Sequence, residues 1–269
     1  MLEAGNLVGL DMGNKKTELE AFLDEPNHSH AREAILMSKL SYDLKLAAAR
    51  RGYYLNSYFD DVDRDGFDVI FDDQDSLRKI QVKSVSASAS TASWEIHKKI
   101  LRPGWYLGEQ LGFGGSPAGE GSEGGVILMR FKDVNGKLEV EYSYTDVFVL
   151  SAFHCGVISR KHPASRKAVD KCIAEARRGI GTERVDAPIA GFIKAKGPDE
   201  LLSLMGLHAN SSFAWKEHLL LVFSHHFRIP TRALPMSLDR MWDLLTEEIL
   251  ELTDDSSLEK GRFVKDGAP

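Results

Sequence analysis

Thiols are scarce: Cys155 and Cys172 are the only two in a chain of 269 residues. A four-ligand zinc site needs recurring ligand spacings, and two distant cysteines supply none. Met1 to Asn14 sets no basic segment ahead of an apolar run, as a secretory signal does. With so few thiols, that start leads to the expectation of a reducing, cytoplasmic setting. No hydrophobic run approaches the length that spans a bilayer, so no membrane partner is expected. A Gly-x-Ser-x-Gly elbow is missing, which removes support for serine hydrolase chemistry. The glycine-rich stretch from Gly112 to Gly125 lacks a Gly-Lys-(Ser/Thr) ending and is no nucleotide phosphate loop. No internal repeat occurs. Positive charge is also short: a net charge of -6 argues against a protein that coats nucleic acid without selectivity. An enzyme with acidic site groups and local basic clusters escapes that argument.

What is present suits a folded protein. With 43% hydrophobic and 28% charged residues, the chain can bury an ordinary core as one large domain or as a core with an appended subdomain. Residues 1–30 show no periodicity beyond a weak helical patch from Thr17 to Leu23. They read as an arm that packs on the domain or on a partner chain. Ser29, between His28 and His30, is the predicted N-cap of the next helix. From Ala31 to Arg51, Leu36, Leu40, Leu44 and Ala48 recur four apart, with Ile35, Met37 and Ala47 widening the stripe. Gly52 closes that helix. Tyr53 to Phe59 predicts a strand leading into the acidic loop Asp60, Asp61, Asp63 and Asp65. The plain reading of the loop is a solvated turn; the functional one has Asp65 positioning metal or water near Asp68.

Two apolar runs then flank Asp72-Asp73-Gln74-Asp75-Ser76, which predicts a hairpin. With a loop from Asp73 to Ser76, Asp72 faces Leu77 and Asp68 lies opposite Gln81. Lys83 shares their face because strand side chains alternate, while Ile80 and Val82 point into a core. A carboxylate and a Gln carbonyl oxygen are hard ligands suited to Mg²⁺. A lysine beside such an ion can hold the attacking water or face the charge of a pentavalent phosphorane. The plain alternative is a half-exposed hairpin with a cross-strand polar pair.

Gly66-x-Asp68 followed by Gln81-x-Lys83-Ser84 resembles the PD-(D/E)XK, or restriction-endonuclease-like, nuclease superfamily, in a branch where Gln replaces Glu. The resemblance covers about residues 31–160. It implies an α/β fold with a restriction-endonuclease-like mixed central sheet flanked by helices, residues 161–269 forming a helical C-terminal extension. It implies that Asp68, the Gln81 side-chain oxygen and the Val82 backbone carbonyl hold Mg²⁺ (or Mn²⁺), with Asp68, Gln81 and Lys83 as the catalytic residues. An additional acid is implied on the helix before the first strand. Lys39 and Tyr42 stand at the matching positions, leaving Asp43 or Glu33 to substitute. Nucleic acid, DNA first, is the implied partner, and members that cut both strands often form homodimers.

Ser86 to Ser93 is small and polar, a loop or strand end near the active face. Trp94 to Pro103 mixes an aromatic with bases. Ser84, His97, Lys98, Lys99 and Arg102 are the candidate substrate contacts, His97 also being a candidate proton donor. Solvated faces and core aromatics are the plain reading there. Further basic clusters are Arg50-Arg51 and the run from Arg160 to Arg178. Gly125 to Phe131, the turn Asn135-Gly136 and Leu138 to Tyr144 predict a second hairpin. With Asp146 to Phe153 buried next, the sheet is expected to be complete near residue 158. Helices are predicted over Ser165 to Arg178, from Pro198 through Met205 and over Ser237 to Leu252, and Phe213 to Phe227, apolar almost all round, is expected to be buried. His154-Cys155 and His225-His226 read as structural. The leading functional reading is thus a metal-dependent nuclease. The alternatives are a nuclease-fold binding module with weak or no chemistry, and a protein-interaction or toxin-antitoxin-type component.

Overall fold

Thr17 caps the first helix, α1 (Glu18–Asp24), its Oγ1 accepting from the Glu20 N–H at 3.0 Å. The same hydroxyl bonds the Asp133 carboxylate and so ties the arm to the sheet. The structure, a computed structural model, describes residues 16–59, 66–104, 107–108, 110–111, 113, 121–178, 183–207 and 214–262. The expectations for the acidic loop with Asp65, for the glycine-rich segment 114–120 and for Phe213 lie outside these residues.

α2 (Ser29–Arg50) follows a 3₁₀ turn, Pro26–His28. Ser29 is not the N-cap: its backbone is already helical and its N–H bonds the Pro26 carbonyl, so the turn feeds straight into the helix. Leu36, Leu40, Leu44, Ala47 and Ala48 are buried as the stripe predicts, each leucine contributing about 2 kcal/mol of burial. Ile35 falls outside the stripe and is exposed. Gly52 closes the helix at φ +81°, its N–H bonding the Ala49 carbonyl while Tyr53 bonds that of Ala48, both at 3.0 Å.

A six-stranded mixed sheet lies behind this helix. Its strands are β1 (Asn56–Phe59), β2 (Val69–Asp72), β3 (Leu77–Ser86), β5 (Gly125–Val134), β6 (Lys137–Asp146) and β9 (Ile193–Lys194), in the order β1-β2-β3-β5-β6-β9. Only β3 and β5 run parallel; every other neighbour is antiparallel. The β5–β6 turn is Asn135-Gly136, with φ +55° and +76°, as its sequence predicts. One face carries Val69, Phe71, Ile80, Ile127, Met129 and Tyr144, and Tyr142 on it reaches Asp43 of α2. Asp68, Gln81 and Lys83 share the other face by strand alternation.

The sheet is not complete at residue 158. β9 adds the sixth strand beside β6, and β8 (Arg184–Pro188) pairs with β4 (Ser93–His97) in a separate two-stranded ribbon. β7 (Ile158–Arg160) pairs with β10 (Leu258–Lys260). The helices are α3 (Val147–His154), capped by Asp146, then α4 (Pro163–Arg177), α5 (Pro198–Met205), α6 (Ala214–His226) and α7 (Leu238–Glu251). The region after 161 is therefore not helical throughout. One buried apolar cluster draws on residues from Leu23 to Leu258. Among the described residues no helix is long and apolar enough to cross a membrane.

Candidate functional site

The hairpin owes its register to Asp73. Its Oδ1 accepts from the N–H groups of Asp75 and Ser76, at 3.0 and 2.6 Å, with Gln74 at φ +75°. Asp72 then pairs with Leu77 and Val69 with Ile80, which sets Asp68 opposite Gln81 as the loop length predicts. The Asp68 N–H bonds the Ile80 carbonyl at 2.9 Å, and the Val82 N–H donates to Asp68 Oδ2 at 2.6 Å. A side-chain carboxylate thus stands in the ladder where a backbone carbonyl would. The Val82 carbonyl, two residues on from that of Ile80, projects to the same side of β3.

Gln81 is 8% exposed, and its Oε1 is buried without a hydrogen-bond partner among the described residues. A buried acceptor left unsatisfied costs about 1–3 kcal/mol, and no described residue supplies its partner. Carboxylate, carboxamide oxygen and backbone carbonyl form an all-oxygen donor set, which fits Mg²⁺ or Mn²⁺. Lys83, half-buried on the same face, has no hydrogen bond or ion pair among the described residues. Ser84 is exposed on the opposite face, so the structure does not bring it to this group.

His97, the last residue of β4, packs on Gly66. A Cβ on Gly66 would lie 2.4 Å from His97 Cβ, and the backbone there has φ +77°. The imidazole Nδ1 is buried without a hydrogen-bond partner among the described residues. Lys99 is exposed, whereas Lys98 and Arg102 are 7% and 3% exposed, so these two present no solvated basic face. On α2, both Asp43 oxygens bond Lys39, at 2.6 and 2.5 Å, and Tyr142 donates to Oδ2 at 2.6 Å. Burial and this bond push the Tyr142 hydroxyl well above its ordinary pKa. Tyr142 pairs with Met129 and Met129 with Ser84, so Asp43 is engaged on the face opposite Gln81 and Lys83. Glu33 is exposed.

Two histidines outside this region have other partners. His154 Nε2 accepts from Arg177 at 2.9 Å and the His225 ring bonds the Arg232 carbonyl at 2.7 Å. Among the described residues no group of three His, Cys, Asp or Glu side chains could hold a metal. The pattern of the sequence did not reveal a buried pair, Lys216 and Asp146, at 2.5 Å. Gly125, which opens an apolar strand, was its one trace: a Cβ there would lie 2.4 Å from the hydroxyl of Tyr144, which bonds Asp146. Compared with protein-family models, with curated proteins and with solved structures, the chain finds no match.

Proposed function

We propose that this chain is a metal-dependent nuclease of the restriction-endonuclease-like class, hydrolysing phosphodiester bonds in DNA. The observation that carries the reading is the buried Gln81 Oε1, without a partner among the described residues, next to an Asp68 carboxylate fixed on the Val82 N–H. The run of α2, β1 and the β2–β3 hairpin agrees with the element order of that class. Asp68, Gln81 Oε1 and the Val82 carbonyl would hold Mg²⁺ or Mn²⁺. Bound there, the ion supplies Lewis acidity toward a phosphate oxygen and a more acidic water.

The chain's own groups do the rest. The Lys83 ammonium holds the attacking water, whose proton passes to bulk solvent as its oxygen bonds phosphorus, and faces the negative charge that gathers while the bond to the leaving oxygen breaks. His97, packed against Gly66 two residues before Asp68, is the candidate proton donor to the leaving oxygen. Cutting both strands of a duplex takes two such sites, so a homodimer is expected on duplex DNA. Asp68→Ala and Lys83→Ala should each slow cleavage at least about a hundredfold while circular dichroism stays unchanged. Wild-type rates in either variant would sink the assignment.

One observation favours a second reading. Gln81 is neutral and Asp43 is committed to Lys39 and Tyr142, which removes negative charge from the metal site and suits a nucleic-acid-binding module without chemistry. Calorimetric titration with Mg²⁺ separates the two. Binding heat that Asp68→Ala abolishes supports the nuclease, and its absence in the wild type supports the module.

A further inference from the structure

The two faces of the sheet satisfy their polar side chains very differently. On the face toward α2, Tyr142 donates to Asp43 at 2.6 Å and Tyr144 to Asp146 at 2.9 Å. On the other face, Gln81 Oε1, Thr145 Oγ1 and Arg130 Nε are all buried without a hydrogen-bond partner among the described residues. The register gathers the three. Gln81 pairs with Val126 and Val126 with Thr145, while Lys83 pairs with Leu128 and Val85 with Arg130. Paired residues share a face and strand side chains alternate, so Arg130 projects from the face of Gln81 and Lys83. Thr145 is closed to solvent, at 1% exposed, whereas Arg130 is half-buried.

Arg130 is also left without a counter-charge. Two carboxylates of β6 share its face. Glu139 meets Lys132, the residue opposite it, at 3.3 Å. Glu141, directly opposite Arg130, turns instead to Lys194 at 3.1 Å. Arg130 itself has no hydrogen bond or ion pair among the described residues. Of its three nitrogens only Nε is closed off. The two Nη groups therefore form an end-on fork, the geometry that grips two oxygens of one phosphate. A half-buried cation without a counter-charge costs free energy that an anion on it recovers.

We infer that Arg130 binds the phosphate next to the scissile one in a DNA strand that crosses this face. DNA as the source of that phosphate rests on the nuclease reading, in which Asp68, Gln81 and Lys83 serve the scissile group. Neighbouring strands lie about 4.8 Å apart and rise about 3.3 Å per residue, which sets the Lys83 and Arg130 backbones about 8 Å apart. That is close to one nucleotide step, so while Lys83 serves the phosphate being cut, the fork of Arg130 takes its neighbour. Arg130 is thus a substrate-binding residue. Its contact is the same before and during bond breaking, so it adds to binding and not to the rate of the chemical step.

The test uses the full chain and a short DNA duplex. In EDTA, where no cleavage intervenes, Arg130→Gln should weaken binding at least about tenfold and lower the slope of log K against log salt by about 0.9, one phosphate contact. Arg130→Lys keeps the charge and loses the fork, so it should keep the slope while losing part of the affinity. With Mg²⁺, Arg130→Gln should raise KM at least about tenfold and leave kcat within about twofold. A methylphosphonate in place of the phosphate on one side of the cut should weaken the wild type as much as Arg130→Gln does, and should cost that variant nothing more. Unchanged affinity and slope in Arg130→Gln overturn the contact, as does a full further loss in that variant from the methylphosphonate on either side. A lower kcat at unchanged KM overturns the neighbouring position and puts Arg130 on the scissile phosphate. Duplex binding that Arg130→Gln weakens, while the wild type with Mg²⁺ cuts nothing, supports the contact and fails the nuclease reading alone.

Discussion

Gly66 meets two separate demands. Its backbone is left-handed at φ +77°, and a side chain would press into His97, 2.4 Å from Cβ and 2.7 Å from Cγ. Gly52 is as left-handed, at φ +81°, yet nothing lies within 4 Å of its missing Cβ. Gly52→Ala is therefore expected to cost about 1 kcal/mol, the conformational share alone. Gly66→Ala adds the clash, for about 2–4 kcal/mol in all. It should also slow cleavage, because the same backbone delivers Asp68 two residues later. Urea denaturation of both variants checks this, and equal losses would mean that His97 yields freely. The sequence shows Gly66 as a motif letter; the reason for it, the approach of a strand thirty residues on, is not in the local pattern.

At the level of elements, Asp146 and Lys216 join four of them. Asp146 Oδ1 caps α3 through the Val149 N–H at 2.8 Å, while Oδ2 takes the Tyr144 hydroxyl at 2.9 Å and Lys216 Nζ at 2.5 Å. Lys216, in α6, also donates to the Met205 carbonyl at the end of α5 at 3.0 Å, and Arg78 Nε donates to that carbonyl at 2.8 Å. Lys216 and Asp146 are 1% and 2% exposed. Lys216→Ala leaves a buried carboxylate without its counter-charge and is expected to cost about 3–5 kcal/mol. Joining Lys216→Met to Asp146→Asn should cost clearly less than the two single changes summed, because neither charge is then stranded. Additive losses in chemical denaturation would refute that coupling. Such a pair is illegible in sequence, since its partners lie 70 residues apart and meet only once α6 docks. The β2–β3 hairpin is legible because Asp73 sets its register locally. β9 is not, because two residues give no period to read. The burial of Lys98 and Arg102 is illegible too, because cations are so seldom buried that a basic segment predicts exposed contacts.

For the whole molecule, burial sets how stability follows pH in the alkaline range. Burial pushes Lys216 down to about 8 from 10.5, and from pH 8 to 10.5 the unfolded chain holds a proton that the folded one has released. Stability therefore rises with pH across that window, by about 1.4 kcal/mol per unit for one group. Lys98 is lowered too and acts in the same direction. Burial raises Cys155 and Cys172 to about 12 from 9.0, so their share is intact below pH 9 and is lost as pH climbs toward 12. The raised hydroxyls of Tyr142 and Tyr144 add losses above pH 10. Below pH 9 the lysines act alone, whereas above pH 10 two thiols and two phenols oppose them. The denaturation midpoint is thus expected to climb from pH 8 to 9 and to fall beyond 10. Lys216→Met should flatten the climb. Replacing both cysteines with alanine should soften the fall. A midpoint that falls steadily from pH 8 in the wild type would show that Lys216 keeps its proton, held by Asp146 more firmly than burial opposes it.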